Sequence, residues 1–471
     1  MGFPVPIAFA SNNRTGFPRA VALNCLSERS PTKPSAIDAM IARAGLEAFT
    51  QVGTAPIRGV FARAGLLGDQ VFIVAKDTAY LVSVGGSITT LSGTIAGSGL
   101  VEIDGGLGQD DNQSIIRIAN GSALYKYDSL GTAVVAEDFP SSGGPGATSV
   151  AFWSGYWIAT EAGTDYAYYQ EPASSTWGPL EFAAAEYRPD PLVGVRILGD
   201  QAFLMGSAST EPWYLTGDGS APLAPVAGLK FDVGCRNISA AVVCKSALIW
   251  VTDDSSVVMS TGGQPRPISD NGLAEQIRRT AASDLSATFF VKDQHPCYVL
   301  HLGTTGTHVF DLSSERWCEF SSLGYDYWRP RLIANVGDVV ICADRNSNQL
   351  WKLNPDLGTD AGEAFPVEFY AVVDVPEGTV PLGNVVLDAE LGDAPSPDPD
   401  DESIVVLQIS RDGGRAWSSP RERGLGVQGD RRVMPRWNGL GNVKAPGAWL
   451  KLSCSGAGRR RFSAVRANVA A

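Results

Sequence analysis

Along most of the chain, apolar residues come in short runs of about five, paired across tight polar turns. "VFIVAKDTAYLVSVGG" sets Val71–Ala75 against Ala79–Val84. The same figure recurs in "IIRIANGSALYKYDSLG", "GYWIATEAGTDYAYYQ", "QAFLMGSASTEPWYLTGD", "ALIWVTDDSSVVMSTGG", "CYVLHLGTTGTHVFDLSSERW" and "DVVICADRNSNQLWKLNPD". Runs rich in β-branched and aromatic residues, broken by Gly, Asn, Asp and Ser, predict antiparallel hairpins. One large residue from each second strand marks a period: Tyr80, Tyr125, Tyr168, Tyr214, Met259, Phe310 and Trp351 are spaced by 45, 43, 46, 45, 51 and 41 residues. That spacing is one four-stranded propeller blade per step. An apolar run such as "GVFARA" or "GLVEIDG" precedes each hairpin, and a short strand such as "SITTLSG" or "RWCEFSS" follows six of them.

The seventh hairpin lacks a clean fourth strand. "LEAFTQVG" (Leu46–Gly53) is expected to supply it, closing the ring and removing an exposed edge. The expected fold class is therefore all-β: a seven-bladed β-propeller over residues 46–358, its last blade closed by an N-terminal strand. Trp213 and Tyr214 face opposite sides of their strand, and both are expected to pack between blades.

Two stretches break the pattern. "KPSAIDAMIARAG" (Lys33–Gly45) predicts a helix with Ser35 as N-cap and Gly45 as stop, within an N-terminal arm of residues 1–45. "ISDNGLAEQIRRTAASD" (Ile268–Asp284) predicts a helical insertion with Leu273, Ala274 and Ile277 on one side. Beyond 358 the period fails. Six short strands in 359–471 predict a small C-terminal antiparallel β-sandwich, and "GDAPSPDPDDES" reads as a flexible loop within it.

Charge divides the chain. Residues 401–471 hold 13 Arg and Lys against 5 Asp and Glu, a net of +8; the whole chain is at −13, so the first 400 residues carry −21. Non-specific nucleic-acid binding is disfavoured for such a body. The split suggests different partners for the two ends, or contact between them in an oligomer. The seven cysteines (Cys25, Cys235, Cys244, Cys297, Cys318, Cys342, Cys454) are odd in number and scattered, which fits a reducing compartment of synthesis. The start "MGFPVPIAFASNNRTGF" has neither a charged n-region nor a myristoylation signal, and no apolar run reaches the length of a membrane span.

Chemistry-bearing patterns are few. With three histidines and no ligand spacing, no metal site is expected. His295, His301 and His308 fall in one blade and read as structural. Asp398, Asp400 and Asp401 lack an EF-hand pattern and read as a solvated loop. Arg459-Arg460-Arg461 read as a charged turn, with a phosphate or an acidic partner as the alternative. Trp177, Trp317 and Trp328 are candidates for carbohydrate stacking, with packing the plainer reading. Ser410 to Trp417 resembles the S-x-D-x-G-x-T-W Asp-box of sialidase propellers, with Ala416 where Thr is usual. That box is a folding motif, and one copy outside the propeller gives a glycan-cleaving enzyme little support. No catalytic residue and no cofactor-binding residue is assigned.

"EPWYLTGDGSAPLAPVAGLKFDVGC", "GQPRPISDNGLAEQI", "YRPDPLVGVRILGDQAFLMGS", "SRDGGRAWSSPRERGLG" and "RRVMPRWNGLG" together resemble the tail hub proteins of short-tailed phages. That family is also called tail accessory factor or packaged-DNA stabilisation protein. The length, and "ALNCLSERS" leading into the first blade, agree. The resemblance implies a non-enzymatic virion part made in the bacterial host cytoplasm, with no cofactor. It implies a hexameric ring below the portal and its head-to-tail adaptor protein. Such a ring carries needle, tailspike or fibre proteins, plugs the exit and later passes the double-stranded DNA. The competing class is a sialidase-like or carbohydrate-binding propeller.

Overall fold

The computed structural model describes residues 3–8, 20–29, 38–110, 113–140, 146–172, 174–219, 221–392, 394, 397–398, 400, 402–430 and 434–469. Strands dominate, and the chain folds as the all-β propeller that the period predicts, joined to a C-terminal pair of sheets. The first sheet runs Ile57–Phe61, Val71–Ala75, Thr78–Val82 and Ile88–Thr90. Further four-stranded units occupy 102–136, 147–184, 192–225, 242–267 and 285–319. The last unit takes Pro330–Val336, Val339–Asp344 and Gln349–Asn354, and its fourth strand is Gly45–Gln51, antiparallel to Gln349–Asn354.

Alternation along the middle strands explains why they are apolar throughout. In Val71–Ala75, Phe72 and Val74 enter a core shared with Ile116 and Ile118 of the second unit. Val71, Ile73 and Ala75 turn the other way, into a core shared with Ala334, Ile341 and Leu350 of the last. In Ala247–Val251, Leu248 and Trp250 pack towards Phe203 and Met205, whereas Ile249 and Val251 pack towards Tyr298 and Leu300. A strand buried on both faces needs apolar residues at every position. The first strands of consecutive units touch in order, and Pro330–Val336 touches Ile57–Phe61.

Crowding about the axis calls for glycine. A Cβ on Gly194 would lie 2.3 Å from Ile238 Cγ1, and one on Gly106 would lie 2.5 Å from the Phe152 ring. Such separations are closer than atoms can pack.

The C-terminal pair comprises Val367–Asp374, Gly447–Ser455, Ile404–Ser410 and Arg421–Gly424 in one sheet. Thr379–Ala389, Arg461–Val469 and Arg436–Asn438 form the other. The N-terminal arm belongs to the same pair. Phe3–Pro4 pairs with Arg461–Val469, Ile7–Ala8 with Val367–Asp374, and the hairpin Cys25–Arg29/Asp38–Ala42 extends the second sheet. Ala22–Leu23 lies between Arg316–Glu319 and Val367–Asp374, making the 285–319 unit continuous with a C-terminal sheet.

The helix expected over Lys33–Gly45 is therefore wrong from residue 38 onward; residues 33–37 lie outside the described residues. Asp38–Ala42 is a strand, with Met40 fully buried against the C-terminal sheets. An edge strand with unpaired backbone groups outweighs a modest helical propensity. The second expected helix forms over Asn271–Arg279. Asp270 caps it by accepting from Leu273 N at 2.9 Å, and Leu273 and Ile277 are buried. A short 3-10 turn, Ala282–Asp284, follows.

Candidate functional site

The first strands of the units surround an axial cavity of about 490 Å3. Its walls mix apolar side chains with Ser239, Ser286, Thr288 and Asn335 and with four charges, Arg63, Glu102, Asp104 and Arg196. Glu102 and Asp104 stand two residues apart on one strand and so share a face. Glu102 forms an ion pair with Arg196 at 2.6 Å and accepts from Ser239 Oγ at 2.7 Å. Arg196 also donates to Ala241 O and Ile238 O. These bonds tie the second, fourth and fifth units together across the axis. Asp104 pairs with Arg63 at 2.5 Å and accepts from Phe152 N and Gly105 N. Burial pushes the Asp104 carboxyl up, against the opposing pull of Arg63 and the two amides. A carboxylate pair for glycoside hydrolysis must be free to protonate a leaving group or meet a water. These two are already engaged by arginines. Sequence reasoning singled out neither, although acids at alternate positions inside the apolar run "GLVEIDG" were a signal.

The three histidines are buried, on the adjacent strands His295–Leu302 and Thr307–Asp311. His295 Nδ1 lies 2.8 Å from Asp311 Oδ2, and Nε2 lies 3.0 Å from Glu28 Oε1 on the arm hairpin. Burial lowers its proton affinity, but Asp311 and Glu28 outweigh that and the net shift is upward. Ser313 Oγ approaches the same Nδ1 at 3.4 Å and donates to Asp311 Oδ1 at 2.6 Å. A nucleophilic triad needs serine and aspartate on opposite ring nitrogens. Here both meet Nδ1, so the group clamps the arm to the propeller. His301 contacts Thr307 Oγ1, and His308 contacts Gln276 of the helix.

The tryptophans pack. Trp177 lies in the loop before the strand Phe182–Ala184. With Trp157 it sandwiches Arg117, whose guanidinium carbon lies 4.9 and 4.6 Å from the two rings, while Arg117 pairs with Glu137 at 2.7 Å. Trp317 donates to Ile268 O, and Trp328 is fully buried. Trp213 is buried as expected, but Tyr214 is 44% exposed. It faces the opposite side of the strand from Trp213 and Leu215, which pack into the core shared with the preceding unit.

Arg460 is buried and donates to Phe365 O, Cys454 O and Gly358 O, which makes it a structural cation. Arg459 and Arg461 border a small cavity of about 90 Å3 beside His295 and Trp328. Nearby, Arg43 makes a fork on Asp360 at 2.9 and 2.6 Å, donates to Ser321 O and stacks over Phe365 at 3.8 Å. Sequence reasoning missed this knot, whose partners are hundreds of residues apart.

The Asp-box resemblance is geometric as well. Asp412 Oδ1 accepts from Arg415 N and Ala416 N at 3.0 Å and from Ser410 Oγ at 2.7 Å, and Gly414 N donates to Ser410 Oγ. Trp417 packs on Tyr370. Asp398 accepts from Asp400 N, and Asp401 lies outside the described residues. Among the described residues, no group of three or more His, Cys, Asp or Glu could hold a metal, and no helix is long and apolar enough to cross a membrane.

Comparison with known proteins adds one strong match. The family model described as "Bacteriophage P22 Gp10, beta-propeller" matches residues 6–358. Among curated proteins nothing matches. Of solved structures, the computationally designed Ika8 protein aligns at 12% identity, covering 74% of this chain and 100% of that one, with a TM-score of 0.40. That likeness is too slight to bear on fold or function.

Proposed function

Since the chain belongs to the phage stabilisation family described as the Bacteriophage P22 Gp10 β-propeller, we propose that it is a structural tail protein of a phage virion that stabilises packaged DNA. The finer reading is a tail hub, or nozzle. Six copies form a ring below the portal and adaptor, close the DNA exit, attach needle, spike or fibre proteins, and form part of the ejection channel. The observation that carries it is the family match along the propeller. The acidic body supports it, because carboxylates facing a DNA path repel phosphates and let the duplex slide. The basic C-terminal region against an acidic body favours head-to-tail neighbours.

The DNA path in this reading is the centre of the ring of copies, not the propeller axis. An axial cavity of about 490 Å3, crossed by the Arg196–Glu102 pair, cannot admit a duplex, whose major groove alone is about 12 Å wide.

Negative-stain imaging of the purified chain, alone and with portal and adaptor, tests the assignment. Rings, or incorporation below the adaptor, are the expected outcome. A dispersed monomer that joins neither and turns over a sialoside or polysaccharide would overturn it.

A further inference from the structure

One end of the propeller axis opens into a second cavity, of about 310 Å3. It lies where the first strands of several units begin, and Arg58, Arg331, Arg345, Ser98, Asn237 and Ser239 border it. The three arginines differ in how their charge is met. Arg58 donates to the carbonyls of Ile95, Ala96 and Gly99, so it braces the wall. Arg331 has one long contact, from Nε to Ser286 Oγ at 3.5 Å. The Arg345 side chain stacks on Tyr327 at 5.3 Å, and its buried Nε and one terminal nitrogen reach no acceptor.

Single nitrogens of Arg117 and Arg460 also lack an acceptor, but among the described residues these buried cations have a carboxylate or several carbonyls against them. Arg43 has Asp360, Arg117 has Glu137, and Arg460 has three carbonyls. Arg331 and Arg345 have neither an ion pair nor a set of carbonyls among the described residues. Asp284 offsets part of their charge at longer range. Burial, and then Arg331, bring Arg345 down to about 10, so it still carries its charge at neutral pH. The same positive field, after burial, holds the neighbouring His301 neutral. Two half-buried guanidiniums facing one cavity with no carboxylate in ion-pair contact are costly, and each offers donors in the fork that oxyanions accept.

We propose that this cavity is a binding site for a small oxyanion of the phosphate type, held by Arg331 and Arg345, with the hydroxyl of Ser98 and the amide of Asn237 as further polar wall. A bound anion would neutralise the mouth and fasten the strand starts that converge there. Its volume suits a free ion.

Isothermal titration of the full-length protein with inorganic phosphate, at constant ionic strength in chloride, tests this. Saturable binding is expected, weakened roughly tenfold or more in Arg345→Gln, the loss of one charged hydrogen-bonding partner. Arg345→Lys should recover part of it. Arg331→Gln serves as an independent variant should Arg345→Gln fold poorly, judged by its melting point in chloride alone. No binding to the wild type, or equal binding by wild type and Arg331→Gln, would overturn the proposal. A parallel titration with a short DNA duplex separates the sources. Duplex binding that needs Arg331 or Arg345, with phosphate inert, would also overturn it.

Discussion

At Arg43 the chain concentrates five interactions in one buried side chain: a fork on Asp360, bonds to Asn24, Ala44 and Ser321, and contact with Phe365. These partners come from the arm, the propeller and the segment that leaves it. Removing one member strands a buried charge. Asp360→Asn should lower the unfolding free energy by about 3 kcal/mol, read from urea denaturation. His295 is the second residue-scale joint. Its folded proton affinity is raised, so its bonds to Asp311 and Glu28 contribute stability that is fully present below about pH 6.5 and is lost as pH rises through the folded value. The arm hairpin Cys25–Arg29/Asp38–Ala42 should exchange its amides faster at pH 8 than at pH 6, beyond the intrinsic pH effect. His295→Gln should flatten that difference, and an unchanged profile in the variant would remove His295 as the cause.

Among the elements, the middle strands behave as their composition demands. "VFIVA" is apolar at every position because each of its faces meets a different neighbour. Position 194 tests the crowding of the first strands. Gly194→Ala forces a methyl onto Ile238, and should cost about 1–3 kcal/mol as overpacking, measured as a lower denaturation midpoint at unchanged slope. The helix Asn271–Arg279 was legible because Leu273, Ala274 and Ile277 recur at helical spacing, and its Asp270 cap emerged with the structure. Asp38–Ala42 was not. "AIDAMIARAG" carries a passable helical pattern, and what converts it to strand is a hairpin with Cys25–Arg29 that docks on Arg461 and Phe462, more than 400 positions later. The short arm strands Phe3–Pro4, Ile7–Ala8 and Ala22–Leu23 are likewise too brief for any period to announce.

For the whole molecule, the seven cysteines report on the closure of the cores. All are free and buried, and burial raises every thiol, Cys235 to about 12 and Cys454 to about 11. The native protein should therefore resist a thiol reagent at pH 8, and seven thiols should react together on unfolding in guanidinium. Fast labelling of Cys25 alone would instead mark independent opening of the arm. The charge division of the sequence also acts at this scale. The strands of the basic 401–471 segment share their sheets with those of 359–400, which hold 10 acids and no Lys or Arg. Set against the +8 of 401–471, these leave 359–471 as a whole at −2, so the charge division runs through the C-terminal sheets.

The sequence by itself determined the repeating hairpin, the strand that completes the last unit, and the apolar faces that pack the units together. Those depend on contacts between neighbours in the chain or on a period repeated often enough to read. Only the tertiary structure decided where the lone charges went. Glu102 meets Arg196, Arg43 meets Asp360, and Arg345 is left without an acid. Such pairings join residues of unrelated sequence position, and a charge in an apolar strand states that a partner is needed without saying which one. The arm's fate was settled in part the same way, because the hairpin Cys25–Arg29/Asp38–Ala42 docks on a sheet edge formed by Arg461 and Phe462.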